Sequence, residues 1–169
     1  MNIDNLNIGK TSEIVNFRSS DQHREATIRL IEQATRSIKI HSYDLEPKIY
    51  NNRRLVSALR TFVASDRHNT VEILIHDSKN LVLHGHQLVE MARQFSSFVK
   101  IKKAPRDAGI MSQTYIIADD TGVVQQYESK RFEGSANFND RSLCKKLSAN
   151  FSSTWLHADT APELRQLHL

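Results

Sequence analysis

Apolar residues along this chain switch repeatedly between two spacings. Residues 13–18 (EIVNFR) and 37–43 (SIKIHSY) alternate polar with apolar, the period of two that predicts strands. Between them Leu30, Ile31 and Ala34 recur at helical intervals, and Ser19 with Gln22 has capping-box spacing, which predicts a helix starting at residue 20. After a connection from Asp44 to Asn52 that holds Pro47, the stripe Leu55, Leu59, Phe62 and Val63 predicts a second helix over 53–64. Residues 71–76 are the clearest strand, a short apolar run opening after Asn69. Leu88, Met91, Ala92 and Phe95 predict a helix over 86–95. Further strands are expected over 98–102, 114–118 and 123–127, the last two joined by the turn sequence Asp119-Asp120-Thr121-Gly122. An irregular stretch follows. Leu143, Leu147, Phe151 and Trp155 then repeat every four residues on a long final helix, with Phe151 and Trp155 expected in the core. Strands alternating with helices predict an α/β fold with a mixed, mainly parallel sheet flanked by helices and a late hairpin. No repeat or Pro/Gly/Ser linker divides the chain, so residues 13–169 read as one domain behind a loose polar lead-in, residues 1–12.

Composition narrows the setting. A chain of 169 residues buries enough surface for a core without staples. Its single cysteine, Cys144, excludes an internal disulfide, fits a reducing compartment and reads as a small core-edge residue. The first residues lack the basic and apolar regions of a secretory signal, and the longest apolar run, at 71–75, is already broken by Glu72. The expectation is a cytoplasmic protein with no membrane segment. The net charge of +4 is mildly basic. It concentrates in Lys100, Lys102, Lys103 and Arg106, and again in Lys130, Arg131, Arg141, Lys145 and Lys146. Such groups form either an ordinary solvated face or a surface for nucleic acid or another polyanion. They do not alternate with aromatics, so no base-stacking stripe is visible along the sequence.

Candidate chemistry comes from one motif. Residues 134–138 read Gly-Ser-Ala-Asn-Phe, and upstream lies Ser112-Gln113-Thr114-Tyr115-Ile116-Ile117-Ala118-Asp119. Together they resemble the G-S-x-N and H-x-K-x4-D elements of the phospholipase D-like superfamily, over most of residues 13–157. The resemblance implies a phospholipase D-like half. It puts Asp119 on the motif aspartate, Gly134, Ser135 and Asn137 on the second element, and Ser112 and Thr114 where the family has its histidine and lysine. Residues 120–133 separate the two elements, a longer span than in the family. In such enzymes the histidine attacks phosphorus covalently and the lysine and Ser/Asn pair stabilise phosphoryl charge. With serine and threonine in those places, the resemblance implies a catalytically degenerate module that keeps part of a phosphate-binding surface, with Thr114 and Asn137 facing one cleft. The tail, from Trp155-Leu156-His157-Ala158 to Pro162-Glu163-Leu164-Arg165 and on to Leu169, is similar to an uncharacterised bacterial family sometimes found beside acetyltransferase domains. No acetyl-CoA loop is present here, and that activity does not transfer. The plainer reading of Gly-Ser-Ala-Asn is turn chemistry ahead of a helix capped by Asn139 or Asp140.

Two other groupings deserve weighing. His84-Gly85-His86, with His76 and Asp77 upstream, lacks the converging ligand set of a zinc site, so no metal is expected. His41, Asp44, His76 and Asp77, with Tyr43 and Ser78, follow predicted strands and form a possible cleft where ligands of α/β sheets gather; alternatively the aspartates start turns and cap helices. No Walker loop, dinucleotide fingerprint or nucleophile elbow appears, and no cofactor is expected. The favoured function is a module without catalytic residues that binds a partner protein or a phosphate-bearing ligand. Alternatives are a divergent phosphodiesterase or nuclease using a strand-end histidine, and a basic nucleic-acid-binding module. A homodimer, or docking on a partner domain, is expected because single-motif chains of the superfamily pair.

Overall fold

A computed structural model describes residues 1–108, 113–128 and 130–165. The elements run β1 (Val15–Phe17), α1 (Ser20–Gln33), β2 (Ser37–Ser42), α2 (Pro47–Tyr50), α3 (Arg53–Ser65), β3 (Thr70–Ile75), α4 (Lys79–His84), α5 (Gln87–Gln94), β4 (Val99–Lys103), β5 (Thr114–Ala118), β6 (Gly122–Glu128), β7 (Arg131–Asn137), α6 (Arg141–His157) and β8 (Asp159–Thr160), with a 3-10 turn at Pro162–Leu164. They build one eight-stranded sheet in the order β1-β7-β6-β5-β2-β3-β4-β8. Only β2-β3 and β3-β4 pair in parallel; the other five pairings are antiparallel. The expected mainly parallel sheet is therefore corrected to a mixed, mostly antiparallel one. Helices α3 and then α4 and α5 connect the parallel strands β2, β3 and β4, whereas β5, β6 and β7 follow one another as antiparallel hairpins.

Local chemistry explains the boundaries. Ser19 Oγ accepts the Gln22 amide N–H at 3.2 Å, and Gln22 Oε1 accepts the Arg18 N–H at 2.9 Å, a reciprocal cap on α1. Asn52 and Asp140 cap α3 and α6 in the same way. Pro47 opens α2, a short helix inside what the sequence suggested was a plain connection. The β5–β6 turn places Asp119 and Asp120 at φ of 55° and 51°, the paired left-handed conformation of a tight hairpin.

The stretch expected to be irregular is β7. Gly134 lies on that strand because Phe17 of β1 packs over it. A Cβ there would stand 2.0 Å from the Gln125 carbonyl oxygen and 2.6 Å from the Phe17 ring.

Two apolar layers cover the sheet. Ile38, Ile40, Ile73, Ile116, Val124 and Ala136 face α1, α3 and α5. Leu74, Tyr115, Ile117 and Val123 face α6 through Cys144, Leu147 and Phe151. Phe151 is buried as expected, while Trp155 is only partly so and carries the Lys102 ammonium 4.6 Å from its ring centre. Cys144 is fully buried rather than at the core's edge, and burial, helped by Asp140, pushes its thiol up to about 12. The lead-in is not loose. Leu6 is buried, Gln33 bonds the Ile8 N–H and the Leu6 carbonyl, and the Gly9 N–H reaches the Phe138 carbonyl. Among the described residues no helix is long and apolar enough to cross a membrane.

Candidate functional site

Strand register decides which motif residues can meet. Thr114 stands opposite Gln126, and Gln126 opposite Gly134, on the α1 face. Ser135 stands opposite Gln125, and Gln125 opposite Tyr115, on the α6 face; Asn137 shares that face opposite Val123. Side chains alternate along each strand, so Thr114 and Asn137 project from opposite faces of the sheet. They also lie near opposite ends: Thr114 by the carboxyl end of β2, Asn137 by its amino end. The shared cleft expected for Thr114 and Asn137 does not form. Ser112 lies outside the described residues.

The remaining motif residues are engaged locally. Asp119 Oδ1 accepts the N–H groups of Arg36 (2.7 Å) and Ser37 (3.0 Å), and Oδ2 accepts the N–H and hydroxyl of Thr35 (2.9 and 3.1 Å). It ties the β5–β6 turn to the start of β2. Asn137 Oδ1 accepts the Asn139 N–H, and Ser135 Oγ takes the Tyr127 hydroxyl at 3.0 Å.

The possible cleft at the strand ends divides in two. His41 and His76 converge, their Nε2 atoms 2.9 Å apart on the α6 side. His41 Nδ1 lies 2.8 Å from the Gln113 carbonyl oxygen, which can only accept, so Nδ1 carries the hydrogen. Burial, reinforced by His76 and opposed by the Gln113 bond, pulls the His41 pKa down to about 4. The ring is therefore neutral near pH 7, its Nε2 accepts, and His76 donates from Nε2–H. The His76 Nδ1 lone pair is left as the basic end of the relay, although burial lowers that ring's pKa as well. His41 stacks on Tyr115 and His76 on Tyr43, with centroids 5.0 and 6.1 Å apart.

Asp44 and Asp77 follow the same two strands. Asp77 Oδ1 accepts the Lys79 N–H at the start of α4. Asp44 is held above the usual carboxylate range by burial, then by Glu46, with Asn80 opposing. Ser78 bonds Glu163 at 2.6 Å and pins the tail.

His86 is structural: Nδ1 accepts the Leu88 N–H while Nε2–H donates to the Leu45 carbonyl. No group of three metal-ligating side chains occurs among the described residues.

What the sequence did not display was the row that completes the His76 end. Tyr127 of β6 and Gln113 follow on the same face as Tyr43, because the β5–β6 turn sets Thr114 against Gln126. That turn was the available signal. Tyr43, just past the end of β2, and Tyr127, near the end of β6, are 40% and 48% exposed. The corner is open because α6 starts beside Thr121, at the amino end of β2, and crosses the sheet towards β8.

Residues 19–167 match the family described as Domain of unknown function (DUF7931). No curated protein matches the chain. Among solved structures, the chain is similar to TrmBL2, an archaeal chromatin protein whose structure shows a novel mode of DNA binding, at TM-score 0.64 and 16% identity, over 90% of this chain and 55% of that one. NucT from Helicobacter pylori aligns at TM-score 0.61 and 20% identity, over 88% and 99%. Phosphatidylserine synthase of Haemophilus influenzae Rd KW20 aligns at 0.64 and 14%, over 97% and 41%. The chain thus spans about half of TrmBL2 and less of the synthase. NucT and the synthase have phospholipase D-superfamily folds, and at these identities the likeness is one of fold.

Proposed function

The chain belongs to the DUF7931 family of domains of unknown function, and from that premise we propose that it is a phospholipase D-like module that holds a phosphate-bearing ligand without cleaving it. The observation that supports this most is the register of Thr114. The position that carries lysine in the superfamily holds a neutral side chain and projects from the face opposite Ser135 and Asn137. Charge stabilisation at a phosphoryl group needs donors converging on one point. Here Asp119 and Asn137 hold turns, and Ser135 holds Tyr127. The ligand site is the open corner around His41, Tyr43 and His76, where the exposed Tyr43 hydroxyl offers a hydrogen bond to a phosphate oxygen. Incubation with bis(p-nitrophenyl) phosphate is expected to give no nitrophenolate above background while the histidine ring resonances shift. The absence of any shift with phosphate esters would refute the reading.

A second reading is kept because the 2.9 Å His41–His76 contact favours it. His76 Nδ1 would attack phosphorus, forming a P–N bond as the P–O bond to the leaving alcohol breaks; water would then cleave the P–N bond. His41 would act as a positioning residue, accepting from Nε2–H. Turnover that vanishes in His76→Ala would establish this reading over the first.

A further inference from the structure

The open corner has a composition of its own. Tyr43 follows β2, Gln113 precedes β5 and Tyr127 lies near the end of β6, so extending the strand registers brings them to one corner, with His76, just past β3, stacked on Tyr43. Neighbouring strands are spaced by about 4.8 Å, so the two tyrosines stand about 10 Å apart. Cations flank the row on both sides. Lys102 lies beyond His76, held over the Trp155 ring, and the exposed Lys130 and Arg131 lie at the β6–β7 turn beyond Tyr127. The Asp77 carboxylate is engaged by the Lys79 N–H at the start of α4, and Asp44 lies beside Glu46, Asn80 and Asp77. Two carboxylates do lie at this end: Glu133 shares the α6 face of β7, and Glu128 stands across from Arg131 with its Oε2 4.0 Å from the Arg131 Nε.

Partly exposed aromatic planes, amide side chains between them and lysine or arginine at both ends are the recognition chemistry of single-stranded polynucleotides. Bases stack on the rings, amides meet base edges, and cations track the phosphates. A duplex hides its base faces and offers the row only its phosphates. The platform is assembled from four strands distant in sequence, which is why no aromatic–basic alternation runs along the chain.

We propose that the ligand of this corner is a single-stranded nucleic acid, stacked on Tyr43 and Tyr127 with its phosphates directed to Lys102 at one end and to Lys130 and Arg131 at the other. The proposal rests on the phosphate-ligand reading above and specifies its chemical class.

The test is fluorescence anisotropy with end-labelled single-stranded oligonucleotides of about 15 nucleotides, a length in the range such sites occupy, and with the matching duplex. Single strands are expected to bind more tightly than the duplex. Stacking contributes about 1–3 kcal/mol per base, so Tyr43→Ala/Tyr127→Ala should weaken binding roughly tenfold or more. Both rings are surface-exposed, so an unchanged melting temperature confirms that the variant folds. Glu133→Gln should tighten binding, because it removes a negative charge from the row. Equal affinity for the duplex, or full affinity in the folded double variant, overturns the proposal. Titration with inorganic tripolyphosphate separates the two levels. If it shifts the His76 ring resonances while single strands fail to bind, only the nucleic-acid assignment falls. If neither binds, the phosphate-ligand reading falls with it.

Discussion

Two buried polar regions of this molecule, around Asp119 and around His23, are built in opposite ways. Asp119 is 6% exposed and spends both carboxylate oxygens on three backbone N–H groups and one hydroxyl. His23, Thr27 and Tyr50, packed between α1, α2 and the sheet, are fully buried. Yet among the described residues neither His23 nitrogen, nor Thr27 Oγ1, nor the Tyr50 hydroxyl has a partner within hydrogen-bond distance. Burial lowers the His23 pKa and the hydrogen-bonding side chain of Gln126 opposes it, while the Gln126 NH2 donates to the Glu128 carbonyl at 2.7 Å. His23 is held instead by stacking on Phe17, with centroids 4.8 Å apart, and by the edge of Tyr50. The first region joins elements by bonds; the second joins them by packing that happens to include polar atoms. The carboxylate of Asp119 therefore serves the fold by joining the β5–β6 turn to the start of β2.

The largest effect expected from this contrast is at Asp119. Asp119→Ala leaves several N–H groups at the start of β2 without their acceptor, each costing about 1–3 kcal/mol when buried. A total loss of about 3–5 kcal/mol should lower the melting temperature by about 10 °C for a chain of this size. A variant that melts with the wild type would show that the carboxylate does not hold the two hairpin ends together.

Acid should act next. Burial pulls His23, His41 and His86 from an ordinary value of 6.5 to about 4. These are depressed histidines, so on acidification the unfolded chain takes up protons first. Stability is full above about pH 6.5 and is lost as pH falls towards 4. Each pH unit crossed costs about 1.4 kcal/mol per histidine. Urea midpoints measured at pH 7.5, 6 and 5 should fall accordingly. His23→Leu should make that fall shallower, since leucine cannot take up the proton. Equal slopes for both proteins would mean that His23 charges freely in the folded state.

The sequence displayed the parts of this arrangement that depend on neighbours in the chain. The Ser19–Gln22 cap, the α3 stripe, the β5–β6 turn and the Asp140 cap each follow from residues a few places apart. The strand β7 was hidden because RFEGSAN mixes turn-forming residues with few β-branched ones, and its Gly134 is required by Phe17, more than a hundred positions earlier. The face of Thr114 was hidden for a related reason. A motif read as a string assumes that its two halves meet, whereas β6 and the bulged β6–β7 pairing fix which side each residue takes. The meeting of His41 with His76 follows from parallel pairing, since His41 lies opposite Leu74 and His76 two residues beyond it on the same face. Of the strand-end aspartates, Asp77 accepts the Lys79 N–H at the start of α4.

The smallest effect is expected at Tyr50, and it sharpens the contrast most. A buried hydroxyl with no partner has lost its bonds to water on folding and gained none in return. Burial also raises its pKa well above the ordinary phenol value, so it stays neutral throughout the range in which the protein folds. Tyr50→Phe removes that hydroxyl while keeping the ring that meets His23 and the apolar layer of α1. Replacing an unsatisfied group by an isosteric apolar one is neutral or stabilising. The midpoint of urea unfolding should therefore stay where it is or rise slightly, with an unchanged slope. The same deletion at a bonded hydroxyl costs about 0.5–1.5 kcal/mol. A loss of that size at Tyr50 would mean that the hydroxyl is bonded in solution, through an internal water bridging it to His23 or Thr27. The two buried regions would then be held by the same means.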